Sequence, residues 1–135
     1  MFSAQVVSIS TTQRASFAHG VSEVVATFGL LVVIFSLVRS GHAQRAPAAV
    51  GAYIGAAYFF TSSTSFANPA ITLGRMFSNT FAGIAPESAP TFLFAQLVGG
   101  MLAIVALRGL YPVTTSAATD TVMTQPEPEQ RTPRD

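Results

Sequence analysis

Residues 46–74 form the longest stretch of this chain without a charged side chain, and Asn68-Pro69-Ala70 interrupts it near its end. Asn before Pro is a helix-start signal, because Asn caps a helix and Pro at the first helical position sacrifices no hydrogen bond. The segment opened here, residues 71–77, is too short to cross a bilayer. A half-helix of this kind at membrane depth aims unpaired N–H groups and a positive dipole end at whatever lies in front of it.

The hydropathy pattern predicts an all-α membrane protein with three transmembrane helices and this one re-entrant half-helix. Only 10% of the 135 residues are charged, against about 25% in soluble domains. The predicted spans are residues 17–38, 46–65 and 88–107, each long enough for a hydrocarbon core of about 30 Å. Ser88 is the predicted N-cap of the third span.

The chain divides into three predicted parts. Residues 1–14 are an N-terminal extension, residues 15–113 form the transmembrane unit, and residues 114–135 are rich in Pro, Thr, Glu and Gln without periodicity. Such a composition buries too little apolar surface to fold, so we expect a disordered C-terminal tail.

Several function classes are excluded by composition. The net charge is only +1, which gives no nucleic-acid footprint, and the absence of Cys excludes disulfides and thiol chemistry. No nucleophile with a base and no metal-ligand cluster is visible, and His19 and His42 are isolated. We therefore expect no enzyme activity, no cofactor and no metal.

Glu23 lies about two turns into the first predicted span. An ionisable group at that depth is expensive and is expected to face the interior of the helix bundle. Its expected role is structural, as an acceptor for backbone N–H groups of an irregular loop that lipid cannot satisfy. That loop is residues 61–67, TSSTSFA, whose carbonyl groups are expected to offer an acceptor ladder to a neutral solute. The predicted carbonyl residues are Ser63, Thr64, Ser65, Phe66 and Ala67.

Small residues indicate close helix contacts at two places. Gly51 and Gly55 form a GxxxG pattern, and Ala95, Gly99 and Gly100 form a second small-residue patch. Arg39, Arg45 and Arg108 fall on one side of the three predicted spans, opposite the side that holds two arginines, Arg14 and Arg75. The positive-inside rule therefore favours, weakly, an outside N-terminus and an inside C-terminus.

The combination of Glu23, TSSTSFANPAITLGR (residues 61–75) and FAQLVGGMLA (residues 94–103) resembles the second half of an aquaporin, of the major intrinsic protein family. Residues 65–86 are especially similar to a bacterial branch linked to the passage of metalloids or small neutral solutes. The resemblance implies one of two inverted repeats, a bacterial plasma-membrane location and a pore centre at the Asn-Pro-Ala motif.

The resemblance covers a single repeat, which does not enclose a pore, so the chain is expected to pair. The simplest partner is an inverted copy of itself, because two-fold symmetry in the membrane plane relates the family's halves. Two Asn68 side chains would then meet mid-membrane, and eight chains would form a tetramer of four pores.

The family's selectivity constriction maps onto Ala56, Ser65 and Ile71. Ile71 stands where the family usually has Arg, and Ala56 where water channels often have His. These replacements widen and depolarise the constriction, which implies passage of water with small uncharged solutes such as glycerol or metalloid hydroxides. They also remove one barrier to cations. Arg75 is not a replacement by alignment and is expected near the C-terminus of the half-helix.

Three alternatives remain open at this point. The chain could pair with a different first-half chain, it could be a truncated product without transport activity, or it could be a small dual-topology transporter that uses Glu23 for proton coupling.

Overall fold

The structure is a computed structural model, and it describes residues 7–111. These residues form four α-helices, which are α1 (Phe17–Arg39), α2 (Ala46–Phe60), α3 (Pro69–Arg75) and α4 (Ala89–Leu110). Single 3-10 turns precede α2 and α4, at Ala43–Arg45 and Pro86–Ser88. The described part of the chain contains no β-strand. The predicted disordered tail, residues 114–135, lies outside the described residues.

Two of the helices are long and apolar enough to cross a membrane, α1 with 23 residues and α4 together with its preceding turn, Pro86–Leu110. Ser16 begins α1 by accepting a hydrogen bond from the His19 backbone N–H at 3.3 Å. Ser88 occupies the N-cap position of α4 but caps nothing, because its hydroxyl accepts instead from the Arg14 N–H at 3.0 Å. The predicted N-cap position of Ser88 is therefore confirmed, without a side-chain capping bond.

The α1 and α4 helices pack side by side in the same direction, with Gly20 opposite Thr91 and Leu31 opposite Gly100. Their closest approach is at Gly99, where an added methyl group would lie 2.5 Å from the Val24 carbonyl oxygen. A backbone atom at that distance leaves room for glycine alone. This contact, which we call the α1–α4 seam, is the main packing interface of the described chain.

The second predicted span ends earlier than its hydropathy suggests. We predicted residues 46–65, but α2 stops at Phe60 because Thr61 adopts an extended conformation. The Thr61 hydroxyl and N–H both donate to the Ala57 carbonyl, at 2.6 and 2.9 Å, which closes the helix locally. At 1.5 Å per residue, 15 residues span about 22 Å, short of a full hydrocarbon core. The three-span count stays a prediction.

A tyrosine holds α2 against α1. The Tyr53 hydroxyl donates to the Ala26 carbonyl at 3.0 Å, inside the first helix. Gly29 provides the space, since an added methyl group there would lie 2.2 Å from that hydroxyl. The contact satisfies a polar group that lipid would leave without a partner.

The described part of the predicted N-terminal extension is integrated into the fold. Ser8 and Ser10 donate backbone hydrogen bonds to Phe77 and Met76, at 3.2 and 2.9 Å, and the Ala85 N–H donates to Thr12 at 2.8 Å. These bonds tie the segment before α1 to the connection between α3 and α4. The domain boundary at residue 14 stays a prediction.

Candidate functional site

The half-helix α3 begins where the sequence predicted it, at Asn68-Pro69-Ala70. The Asn68 side chain accepts from the Ala70 N–H at 2.8 Å, and Pro69 takes the first helical position. With seven residues, α3 is about 10 Å long, too short to cross a hydrocarbon core of about 30 Å. Asn68, Pro69 and Ala70 are all exposed in this chain. The N-terminus of a helix, with its positive dipole end, therefore lies on an uncovered surface.

The loop before α3 is buried and has an unusual backbone. Residues 63–67 are all buried, and three of them are left-handed, with φ of 60° at Thr64, 49° at Ser65 and 49° at Ala67. Left-handed residues other than glycine cost about 1–3 kcal/mol each and persist only where the surroundings hold them. The conformation of this loop therefore depends on its contacts with the rest of the fold.

Glu23 supplies one of these contacts. It is fully buried, and its Oε1 accepts from the Ala67 N–H and from the Gln96 side chain, the latter at 2.8 Å. The Gln96 amide also donates to the Thr72 hydroxyl at 2.8 Å. One buried network thus connects α1, the loop, α3 and α4. Sequence reasoning identified Glu23 by its charge but missed Gln96 and Thr72, which are uncharged.

Arg14 supplies a second contact that sequence reasoning missed. Only 5% of the residue is exposed. Its guanidinium donates to three loop carbonyls, those of Gly83 at 2.8 Å, Phe81 at 2.7 Å and Ser63 at 3.3 Å. Burial, and next the neighbouring charge of Arg75, lower the pKa of Arg14 from its usual value. No local sequence signal marks these bonds, because all three acceptors lie at least 49 residues away.

Arg75 lies in the last turn of α3, near the C-terminus of the half-helix as predicted, and is partly buried. Its guanidinium donates to the Ala82 carbonyl at 2.9 Å and to the Tyr58 hydroxyl at 3.2 Å. Its central carbon lies 4.9 Å from the centre of the Phe66 ring, within the range of a cation–π contact. Phe66 in turn packs against Phe92 of α4, with ring centres 5.3 Å apart.

The predicted constriction residues do not share one surface in the described chain. Ala56, near the end of α2, and Ile71, in the first turn of α3, are exposed, whereas Ser65 is 4% exposed. Among the predicted carbonyl residues, Ser63 already accepts from Arg14. The assignment of a constriction and of pore carbonyls stays a prediction.

A polar groove of about 560 Å³ opens at the end of the molecule where α1 begins. Thr64 lines it with a buried hydroxyl that has no hydrogen-bond partner among the described residues. His19, also at the groove, is bonded to Ser16 at 2.7 Å. Among residues 7–111, no group of three or more potential metal ligands was found. The lining comprises Thr12, Gln13, Arg14, His19, Ser62, Thr64, Asn79, Thr80 and Phe81.

The outer face of α2 carries a stripe of exposed small residues. The predicted GxxxG contact is not made within the described chain, because a methyl group added at Gly51 or Gly55 would meet nothing within 4 Å. We call this stripe and the exposed start of α3 together the open face; among residues 7–111 no close backbone contact joins α2 to α3. The open face comprises Ala48, Gly51, Ala52, Gly55, Ala56, Asn68, Pro69, Ala70 and Ile71.

Comparison with known proteins finds a relative whose name describes a channel. The chain is 46% identical over 110 residues to aquaglyceroporin AqpS of Rhizobium meliloti (strain 1021). The aligned region covers 82% of this chain and 47% of the relative, so the chain spans about half the length of the curated relative that it matches. No family model and no solved structure matches the chain.

Proposed function

Since this chain belongs to the aquaporin family, also called the major intrinsic proteins, we propose that it supplies one half of a membrane pore for water and small neutral solutes. The observation that carries the proposal is the open face. A capped helix start, Asn68-Pro69-Ala70, is exposed in a chain whose two longest helices are apolar enough to span a membrane. Unsatisfied backbone groups at such a helix start cost several kcal/mol each in lipid, so a partner or a water-filled lumen covers this face.

The proposed partner is a second copy of the chain in the inverted orientation. Inverted repeats related by a two-fold axis in the membrane plane are a common way to build a transport path at the bilayer midplane. The arginine distribution, three against two across the predicted spans, opposes dual insertion only weakly. Four such pairs would make an octamer with four pores, in the plasma membrane of a bacterium.

The proposed mechanism uses opposite polarity at two places along the pore. At the centre, two Asn68 amides and two positive helix ends donate to a passing oxygen atom, which orients a water and interrupts a proton wire. Beyond it, carbonyl groups of residues 63–67 accept from the solute. Ile71 leaves the constriction wide and apolar, which favours glycerol or metalloid hydroxides as well as water.

The contacts of Glu23 favour this channel over a proton-coupled transporter. Its Oε1 accepts both from the backbone of the strained loop and from Gln96, so the carboxylate holds the loop in place. A group that is fully buried and engaged in this way lacks the solvent access of a proton-exchange site. We therefore assign Glu23 a structural role and the protein no enzymatic one.

The test is flux through proteoliposomes that contain the full 135-residue chain alone. We expect glycerol flux that does not saturate, is independent of a pH gradient, and accompanies an assembly of eight chains with copies in both orientations. Flux that appears only after a different chain is added would replace the inverted pair with a hetero-channel. Flux driven by a pH gradient and lost in an assembled Glu23→Gln variant would establish the transporter instead.

A further inference from the structure

The half-helix carries a positive charge on the same face as Ile71, one turn farther from the proposed pore centre. Ile71 and Arg75 are four residues apart in α3, and residues at this spacing lie one above the other on a helix. The Arg75 guanidinium is held by the Tyr58 hydroxyl at 3.2 Å, and Tyr58 follows Ala56 by two residues in α2. Ile71 and Tyr58 are 41% and 39% exposed, so this charge borders the open face.

A second guanidinium, that of Arg14 before α1, lies near the same aromatic ring as that of Arg75. The central carbon of Arg14 lies 5.7 Å from the centre of the Phe66 ring, and that of Arg75 lies 4.9 Å from it. Arg14 also lines the polar groove with Thr64, so it stands at the mouth of the path that the loop carbonyls are proposed to form.

No described carboxylate is hydrogen-bonded to either guanidinium. Arg14 and Arg75 donate to backbone carbonyls and to a phenol hydroxyl. Residues 7–111 contain two carboxylates, Glu23 and Glu87, and the acceptor contacts of these are with the Ala67 N–H, Gln96 and Gln13. The mouth therefore carries two cationic groups without a bonded counter-ion.

We propose that Arg75 and Arg14 form the cation barrier of this pore, displaced one helical turn outward from the constriction position that Ile71 occupies. The inference rests on the proposed pore. Size selection and charge selection are then separated: Ile71 leaves the narrow part wide enough for neutral solutes, while the two guanidinium groups repel cations before they reach it. A fixed charge at a cleft with low-dielectric walls changes local ion concentrations by about tenfold or more.

The test compares K⁺ conductance with glycerol flux in proteoliposomes of the full chain. We expect the ratio of K⁺ conductance to glycerol flux to rise about tenfold or more in Arg75→Gln, and further when Arg14→Gln is added. Arg75→Lys keeps the charge without the guanidinium geometry and should retain a ratio close to that of the parent. Arg45→Gln, an exposed arginine beyond the opposite end of α1, is the matched control and should leave the ratio unchanged.

A measurement on the parent protein keeps the proposal testable if the variants are poorly folded. A mouth with two positive charges predicts that any residual ion conductance in a KCl gradient favours Cl⁻, as read from the reversal potential. A preference for K⁺, or an unchanged ratio in a folded Arg75→Gln variant, would overturn the cation barrier while the pore itself stands. An equal leak in Arg75→Lys and Arg75→Gln would overturn it as well, by showing that geometry and not charge matters. A parent without any glycerol flux would instead refute the proposed pore, and this inference with it.

Discussion

The α1–α4 seam and the open face on α2 are lined by the same kinds of small residue, but one is closed and the other is not. At the seam, Ala95 and Gly99 are buried, and Gly99 allows two backbones to touch. On α2, Gly51 and Gly55 have the same spacing of four residues and face empty space. Small residues in membrane helices permit close backbone approach, which is favourable only when a second helix is present.

The seam is packing that the chain completes by itself, whereas the open face has no packing partner among the described residues. The seam joins helices of the same chain, and the buried Glu23–Gln96 contact lies alongside it. The open face comprises an exposed small stripe on α2 and an exposed polar helix start at α3, and neither is covered by the described chain. In a membrane, the exposed stripe would suit a close-packed partner helix, and the exposed helix start would suit a polar path.

Adding a methyl group at the glycine of the α1–α4 seam has the largest expected effect, which is a loss of thermal stability. In Gly99→Ala, the new methyl group would lie 2.5 Å from the Val24 carbonyl and 3.0 Å from the Thr27 side chain, so the helices must separate. Overpacking of this kind costs about 1–3 kcal/mol or more, and we expect a clearly lower thermal midpoint by circular dichroism in detergent.

Gly109→Ala on the same helix is the control for that measurement. An added methyl group there meets nothing within 4 Å, so the midpoint should stay the same or rise slightly. Equal midpoints for the two variants would mean that the seam is looser than its geometry indicates.

A large side chain on the open face should leave the stability of the single chain unchanged and weaken the proposed oligomer. In Gly55→Leu, no atom of the described chain lies within 4 Å of the new Cβ, so the midpoint of the unassembled chain should change little. A helix of the proposed partner, however, could no longer approach closely. We expect the oligomer to weaken at least tenfold, equivalent to about 1.4 kcal/mol, measured by mass photometry, with a parallel loss of glycerol flux.

Gly109→Leu provides the comparison for the open-face variant, because it adds the same side chain at an exposed glycine of a different helix. It should assemble and conduct as the parent does. An octamer that survives Gly55→Leu unchanged would show that the small stripe on α2 faces lipid and not a second chain.

The sequence predicted the start of α3 and the importance of Glu23, because both features can be recognised from adjacent residues alone. The helix start at Asn68-Pro69 depends on two adjacent residues, and Glu23 is conspicuous as a charge in an apolar run. The family assignment is confirmed by the 46% identity to AqpS. The GxxxG pattern, by contrast, predicted a close helix contact but not its partner. The spacing of small residues shows that another helix can approach, but it does not show which helix does so.

The remaining features depend on atoms that are far apart in the sequence. The end of α2 was misplaced because TSSTSFA is as uncharged as the helix before it, and only the Thr61 bonds to Ala57 show where the helix stops. In the sequence Arg14 counts only as a charge that bears on topology, yet in the structure it donates to carbonyls after α3. Hydropathy does not show which backbone carbonyl groups need a hydrogen-bond donor, because the fold supplies that donor from a distant part of the chain.

The smallest expected effect lies at the boundary of the open face, at Ile71. Its side chain is 41% exposed on α3, one turn before Arg75, so a longer cationic side chain there would enter the proposed lumen beside an existing charge. We expect Ile71→Arg to lower the ratio of glycerol to water flux by about tenfold, the discrimination typical of a modest steric change, with the assembly intact. Ile71→Leu, which preserves volume and polarity, should keep the ratio of the parent in the same swelling assay. If Ile71→Arg instead reduces both fluxes equally, then this side chain contributes to packing against the proposed partner and not to the selectivity of the lumen.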